Sequence, residues 1–369
     1  MPIYMDRHYL PEGATAEIVA QLHQEDLKIQ DKYNCRGLTY WFDDKRKTAF
    51  CLVEAPNKEA ITRMHDNAHG EVPNQIIEVN ATIVESFLGR IEDPEKSQNT
   101  KLNIINDPAF RTIMIIGLEY RSLKNQEFFK SFSLIQDYNK SVAEVILQFK
   151  GRIVNNIEDR FLVSFESVSH AVMCATQVQS KFNDFFTETE NGFVELKIGV
   201  NAGIPVTEKA AIFEDTIKLA ERMFYISNAE IVVSSEVKDL YKSENLNRFI
   251  EDERILALTH SDEIFLTKLM DFTEKEWQNS DLKVEDFQKV LGFSKSQLYR
   301  IMMRLTGKSP NTFLLNYRLN RALHLLHKQS ATISEIAFET GFNIPSYFSK
   351  CFRKKYGIRP SEYLGGSEV

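Results

Sequence analysis

The chain has 369 residues, a formal net charge of -7, 43% hydrophobic residues, eight histidines and four cysteines. That length allows two or three domains. No apolar run approaches the roughly 20 residues that cross a bilayer, no basic-then-apolar leader opens the chain, and Cys35, Cys51, Cys174 and Cys351 fit no CxxC spacing; these features argue against a membrane protein, an exported protein and a disulfide scaffold, and for a soluble cytoplasmic one.

Pro2 to His8 reads as a strand, and Thr15 to Tyr33 as a helix with Ile18, Leu22 and Ile29 on one side. Leu38–Phe42 and Thr48–Val53 form a hairpin around the charged turn DDKRK. Lys58–His69 is a second helix that stops near Gly70, and Ile76–Val79 is a last strand. The order βαββαβ predicts a ferredoxin-like sandwich over residues 1–92. Four of the eight histidines fall here. His65 and His69 lie one helical turn apart, on one face. His8 follows the first strand and His23 sits on the first helix, with Asp6, Asp26 and Glu54 as possible oxygen ligands. Clustered imidazoles suit nickel, copper or zinc, although the spacing alone equally describes two surface histidines.

The runs MPIYMDRHYLPEG, LKIQDKYNCRGLTYWFDDKRKTAFCLVEAPNKEAI and MHDNAHGEVPNQIIEV resemble a small ferredoxin-like family described as nickel-binding, over nearly all of residues 1–92. The resemblance implies a bound transition metal, Ni²⁺ or another, without assigning its ligands. By position His65 and His69 are the first candidates, and His8 and His23 the second.

Residues 93–109 are polar and turn-rich and predict a linker. Beyond it, Thr112–Leu118 is a strand, a helix runs around Phe128–Phe149, and 151–154 with Arg160–Phe165 make a hairpin around NNIED. Val168–Phe185 is a helix, Glu195–Ala202 a strand, Asp215–Tyr225 a helix and Glu230–Ser234 a closing strand. Alternating elements with an antiparallel hairpin predict an α+β sandwich over 110–245.

GRIVNNIEDRFLVSF, LKIGVNAGIPV, FEDTIKLAERM and ISNAEIVVSSEVKDL resemble the catalytic domain of class III nucleotide cyclases. In that family two carboxylates hold the metal ions that polarise the phosphates and activate the 3′-hydroxyl. The first falls at Gly117 and the second matches Asp159, with Glu158 and Arg160 in place of flanking turn glycines. The base-selecting lysine falls at Asn155, the transition-state Asn at Lys218, and the transition-state Arg matches Arg222. Glu119 replaces the lost carboxylate only with a shifted strand register. One Asp is a poor site for two divalent ions. The expectation is a non-catalytic relative, requiring no nucleotide and retained for dimerisation. The alternative is an active cyclase, forming cAMP or cGMP, fused to a DNA-binding domain.

The end of the chain carries an internal repeat. VEDFQKVLGFSKSQLYRIMMRLTG (284–307) and ISEIAFETGFNIPSYFSKCFRKKYG (333–357) each contain a short amphipathic helix, a Gly-aromatic turn and a longer basic helix, about 50 residues apart. Ser294 caps the first longer helix; Leu298, Ile301, Met302 and Leu305 form its inner stripe, while Ser296, Tyr299, Arg300 and Met303 face outward and Arg304 is within reach of phosphate. Thr332 and Glu335 form a capping box, and Gly341 ends the helix that follows. On the next helix Phe348, Cys351 and Phe352 share the core face, and Ser346, Lys350 and Arg353 another. Between the units a helix from Ser309-Pro310 to Lys328 is about 19 residues, or ~28 Å, long, so the two basic helices can enter successive major grooves about 34 Å apart. From Asp281 onward there are 14 Lys+Arg against 7 Asp+Glu, about +7, which leaves about -14 for the remainder. The basic part has the footprint of a nucleic-acid module, and the acidic part is suited to sensing or dimerisation.

Residues 261 to about 366, through LGFSKSQLYRIMMRLTGKSPNTFLLNYRLNRA and ISEIAFETGFNIPSYFSKCFRKKYGIRPSEYL, resemble the double helix-turn-helix domain of AraC/XylS-type regulators. The resemblance implies base contacts from Ser296, Tyr299 and Arg300, then Ser346, Tyr347 and Lys350. Arg304 and Arg353 are added as flanking DNA contacts. Ile344 departs from the family, which often has an acidic or polar residue there. The expected protein is a transcription regulator that binds double-stranded DNA as a homodimer, with RNA polymerase a plausible further partner and no membrane. A metal-storage protein leaves the paired basic helices unexplained.

Overall fold

The computed structural model describes residues 1–95, 102–123, 127–157, 160–186, 194–226, 229–245, 254–329 and 331–366. The N-terminal elements are β1 (Ile3–Tyr9), α1 (Ala16–Ile29), β2 (Arg36–Asp43), β3 (Thr48–Glu54), α2 (Lys58–Ala68), β4 (Gln75–Val79) and α3 (Ala81–Leu88). Thr15 and Asn57 cap α1 and α2 by accepting the backbone N–H of Ile18 and Ala60. The sheet order is β2-β3-β1-β4, antiparallel at each pairing. Strand alternation sends Tyr4, Asp6 and His8 of β1 to one face. The register from Met5↔Leu52 to His8↔Ala49 puts Cys51 opposite Asp6. Tyr4, Tyr40, Phe42, Ala49, Cys51 and Val53 pack there against Val19 and Ala20 of α1 and Ala60, Ile61 and Met64 of α2.

Two features were not read from the sequence. Residues 102–109, within the predicted linker, are anchored: Ile105 is buried in the same core, and the Tyr40 hydroxyl donates to the Asn103 carbonyl at 2.8 Å and accepts from the Ile105 N–H at 2.9 Å. The short helix α3 follows β4, capped by Asn80 and closed at Gly89, with Val84, Phe87 and Leu88 buried.

The following elements are β5 (Arg111–Tyr120), α4 (Glu127–Gln148), β6 (Arg152–Ile157), β7 (Arg160–Phe165), α5 (Val168–Phe185), β8 (Val194–Gly203), α6 (Glu214–Arg222), β9 (Ile231–Val233), α7 (Ser235–Glu244) and β10 (Ile255–Ala257). They contribute a six-stranded sheet, order β10-β9-β8-β5-β7-β6. β6 and β7 form the expected antiparallel hairpin. β8, β9 and β10 pair in parallel, with α7 as the crossover between the last two. β10 has three residues, too few for a readable alternation. Gly199 in β8 marks a close approach of α6: a Cβ there would lie 2.1 Å from the Ala220 carbonyl oxygen.

The C-terminal elements are all helical: α8 (His260–Glu276), α9 (Val284–Leu291), α10 (Lys295–Thr306), α11 (Pro310–His327), α12 (Ile333–Glu339), α13 (Pro345–Tyr356) and α14 (Pro360–Gly366). α11 serves two cores. Its first half gives Phe313, Leu314 and Tyr317 to a cluster with Leu266 and Leu269 of α8, Phe287 and Leu291 of α9 and Leu298 and Met302 of α10. Its second half gives Leu319, Ala322 and Leu326 to a cluster with Ile336 and Ala337 of α12 and Phe348, Phe352 and Tyr356 of α13.

The chain divides into two compact units, residues 1–115 with 146–171 and 201–218, and residues 116–145 with 172–200 and 219–369. Within the second unit, Met223, Ile226 and Val232 belong to the same core as α8–α11. Among the described residues no helix is long and apolar enough to cross a membrane. Gly199→Ala is expected to lower stability by about 1–3 kcal/mol through overpacking, read as a fall in the urea midpoint of the full-length protein.

Candidate metal centre and candidate nucleic-acid interface

Strand alternation on β1 and β3 and the 3.6-residue period of α1 and α2 bring two overlapping groups of donors together: Asp6, His8, Cys51 and His65, and Asp26, His65 and His69. Donor atoms within each group lie within 4.8 Å of one another. His65 is common to both and is 1% exposed. Its Nε2 is 3.1 Å from Asp6 Oδ2, and its Nδ1 is 3.1 Å from Asp26 Oδ2 and 3.3 Å from His69 Nε2. His8 Nε2 lies 3.3 Å from Asp6 Oδ1, and His69 Nε2 3.2 Å from Asp26 Oδ1.

His69 Nδ1 accepts the backbone N–H of Glu71 at 3.1 Å. In a neutral imidazole that leaves the proton on Nε2, where it faces Asp26. His65 can likewise donate from Nδ1 to Asp26 and present Nε2 toward Asp6, His8 and Cys51. A ligating histidine held through its second nitrogen by a carboxylate is the usual outer support of a metal site. The sequence pair His65 and His69 is brought together, His65 belonging to both donor groups and His69 to the second. His23 lies outside both clusters: its Nε2 is 3.5 Å from Asp93 Oδ2 and its ring packs on Tyr40. Glu54 is also elsewhere, paired with Arg36 and the N-terminal amine. Cys51 was missed in the sequence as a donor; pairing β3 against β1 by alternation is the signal that finds it.

The electrostatics favour a cation. Burial alone would depress the His65 pKa, but hydrogen bonds to Asp26 and Asp6 and their charges raise it to about 10. Burial works to raise Asp6, yet His8 and His65 hold it well below the usual carboxylate range. Asp26 is also lowered, against burial, by the His65 and His69 imidazoles beside it. Burial pushes the Cys51 thiol well up, with the Asp6 and Asp26 charges adding to it. Among the described residues His8 Nε2 and Asp26 Oδ1 are buried without a hydrogen bond of acceptable geometry. A cavity of about 20 Å³ borders His8, His23, Asp26, Cys51, His65 and His69, room for one ion or water. Imidazole, carboxylate and thiol donors fit a borderline divalent transition metal.

The second candidate site is the outer face of α10 and α13. Leu298, Met302 and Leu305 are buried on α10 and Ile301 is half-buried. Ser296, Tyr299, Arg300 and Met303 are exposed. Arg304 is exposed and also donates to Asp262 of α8. On α13 Phe348, Phe352 and Tyr356 are buried, and Ser346, Tyr347, Lys350 and Arg353 are exposed. Ser349, Lys350, Arg353, Lys354 and Arg359 line an open groove of about 440 Å³. The turn before α13 needs its glycine: Gly341 has φ 77°, and a Cβ would meet the Trp277 carbonyl oxygen at 2.8 Å. Ser294 and Gln297 form a capping box on α10, whereas Ile344 at the head of α13 makes no side-chain cap.

The positions matched to cyclase chemistry are differently engaged. Gly117 lies inside β5 and offers no donor; Asp159 and Glu158 lie outside the described residues. Asn155 is exposed. Lys218 pairs with Glu214 at 2.6 Å. Arg222 is buried and donates to Asp271 and Glu274 of α8. Glu119 accepts from Asn320 of α11 at 3.1 Å.

Two compact helix-turn-helix units on one shared helix define a DNA-binding class of domain. Residues 288–366 match the family described as helix-turn-helix domain, and residues 4–79 the family described as nickel responsive protein SCO4226-like. The histidine kinase P4 of Formosa agariphila is 36% identical over 108 residues, 29% of this chain and 8% of that protein. The Msm operon regulatory protein of Streptococcus mutans is 36% identical over 84 residues, 23% of this chain and 30% of that protein. The crystal structure of SCO4226 from Streptomyces coelicolor A3(2) is 35% identical and covers 21% of this chain and 94% of that one, with a TM-score of 0.20. The chain spans less than a third of the length of these two curated relatives. It carries an AraC-type helix-turn-helix domain at its C-terminal end and an SCO4226-like domain at its N-terminal end.

A His65 pKa of about 10, above the ordinary 6.5, means that the folded metal-free protein binds this proton more tightly than the unfolded chain. Its contribution is complete below about pH 6.5 and lost as pH rises through about 10. The melting temperature of metal-free protein is expected to fall between pH 7 and 10, and His65→Ala to flatten that slope.

Proposed function

We propose that the protein is a DNA-binding transcription regulator whose N-terminal domain responds to a transition metal. The observation that carries the reading is the pair of helices α10 and α13, each with a buried apolar stripe and an outward face bearing Arg300 or Lys350 and Arg353. The division into domains is 1–92, a ferredoxin-like sandwich; 93–109, a linker partly laid along it; 110–245, a cyclase-like sandwich; and 261–366, the double helix-turn-helix. The strand order β2-β3-β1-β4 supports the first. The cyclase-like sandwich is read as non-catalytic, supported by the loss of a carboxylate at Gly117 and by the engagement of Arg222 with Asp271 and Glu274.

The metal ligands are read as Asp6, His8, Cys51 and His65, with Asp26 and His69 orienting His65. A divalent ion there supplies a positive charge in place of the His65 proton, and its uptake releases protons. Held between β1, β3 and α2, the ion shifts the geometry of a homodimer and so the spacing of DNA half-sites. The protein acts in the cytoplasm, with RNA polymerase as a plausible further partner.

Selection from a randomised duplex pool by full-length protein, with and without Ni²⁺, is expected to yield a motif with two recognition segments about one turn apart, and a yield that changes with nickel. No enrichment in either condition would count against the regulator. Arg300→Ala or Lys350→Ala is expected to weaken binding to the motif by about 1–3 kcal/mol if the residue reads a base edge. A uniform loss on all sequences with a shallower salt slope would mark a phosphate contact instead. Incubation with ATP or GTP and Mn²⁺ is expected to give no cyclic product; turnover abolished by Asp159→Ala would overturn the non-catalytic reading.

A further inference from the structure

The internal repeat permits a residue-by-residue comparison of the two basic helices. α10 and α13 each have 12 residues, with Ser294 and Ile344 at the N-cap and Gly307 and Gly357, both left-handed, at the C-cap. The offset is a constant 50, so Arg300 corresponds to Lys350 and Gln297 to Tyr347. In α10 the N-cap pair is used for capping. Ser294 Oγ accepts the Gln297 N–H at 3.4 Å, and Gln297 Oε1 accepts the Ser294 N–H at 3.1 Å. In α13 the same two positions hold apolar side chains. Ile344 makes no cap and is 58% exposed, and Tyr347 beside it is 54% exposed, its ring leaning on Phe342.

This exchange is unfavourable in the isolated protein. It gives up a hydrogen-bonded cap and leaves a branched apolar group in water. The same helix continues into the cationic groove of Lys350, Arg353, Lys354 and Arg359, which matches a polyanion. An apolar head on a cationic track fits the major groove of duplex DNA, where the thymine C5-methyl is the apolar feature among the base edges. The first turns of such a helix are the part that reaches those edges.

We infer that Ile344 is a specificity-determining residue, which packs on the C5-methyl of a thymine in the segment read by α13. The inference rests on the DNA-binding reading above. The first repeat, with Ser294 capping at the same position, makes no such contact. The two segments of the operator are therefore read differently at this position, the second having a methyl contact where the first has a cap.

The test uses the full-length protein and the motif selected from the duplex pool, with Ni²⁺ present if selection requires it. Each thymine is replaced in turn by deoxyuridine, which removes only the methyl group, and Kd is measured for wild type and for Ile344→Ser. At one or two thymines of the second segment, deoxyuridine is expected to weaken wild type about three- to tenfold, the scale of burying one methyl. Ile344→Ser is expected to bind the thymine duplex that much more weakly and to ignore the replacement. It should melt no lower than wild type, because serine restores the cap. Tolerance of deoxyuridine throughout that segment, or a variant as sensitive as wild type, would overturn the inference alone and point to a protein partner for Ile344. A pool with no enriched duplex would overturn the DNA-binding reading and this inference with it.

Discussion

One helix belonging to two hydrophobic cores at once is the constraint on which the C-terminal architecture depends. Phe313 and Tyr317 of α11 are locked into the core of the first helix-turn-helix unit, and Ala322 and Leu326 into that of the second. A helix in such a position cannot rotate to improve one core without spoiling the other, because close-packed interiors tolerate little displacement. The relation between α10 and α13 is therefore set by the rise and turn of α11 and not by a flexible joint. Polar pins add to it: Arg318 Nε donates to the Trp277 carbonyl at 2.7 Å, beside the turn at Gly341.

The N-terminal sheet follows a different logic, in which buried charge takes the place that apolar contact has elsewhere. Two anionic carboxylates, Asp6 and Asp26, flank one imidazole in a setting where an uncompensated charge is costly. The metal-free protein meets that cost with a proton on His65. Under the proposed metal reading, a cation that entered would displace a proton held there for electrostatic reasons. The donors come from β1, β3, α1 and α2, so such binding would bear on the whole sandwich at once.

Much of this was legible in the sequence. The βαββαβ order, the hairpin around DDKRK and both basic helices followed from periodicity and caps, and the apolar stripes at Leu298, Met302, Phe348 and Phe352 are buried as expected. Long elements with clear caps carry strong local signals. What escaped was short or relational. β10 is too brief for a period to emerge, whereas α3 does carry a cap at Asn80 and helical spacing of Val84, Phe87 and Leu88, a signal overlooked in the sequence. Residues 102–109 look like a linker because their Asn, Asp and Pro conceal two buried side chains, Ile105 and Ala109. Sequence spacing puts His65 and His69 on one helix face, and they share a donor group with Asp26; His23 borders the same cavity from outside both groups, a relation that spacing does not report. Cys51 enters only once the strand register is known. The pairing of exposed Arg304 with Asp262, 42 residues away in sequence, is likewise invisible to face and charge alone.

The polar and apolar ties inside the second compact unit bear on how such a protein can be recombined. Glu119, at the end of β5, accepts from Asn320 of α11, which also meets Lys355 and the Tyr356 hydroxyl of α13. Nearby, the Leu123 N–H donates to the Tyr356 carbonyl at 2.7 Å. With Met223, Ile226 and Val232 in the core of α8–α11, the packed domain does not end at the edge of the family resemblance. A helix-turn-helix segment excised at residue 261 leaves behind part of its own interior. Grafting these helices onto another protein means carrying those residues along, or evolving a new surface to cover the apolar side chains they now protect.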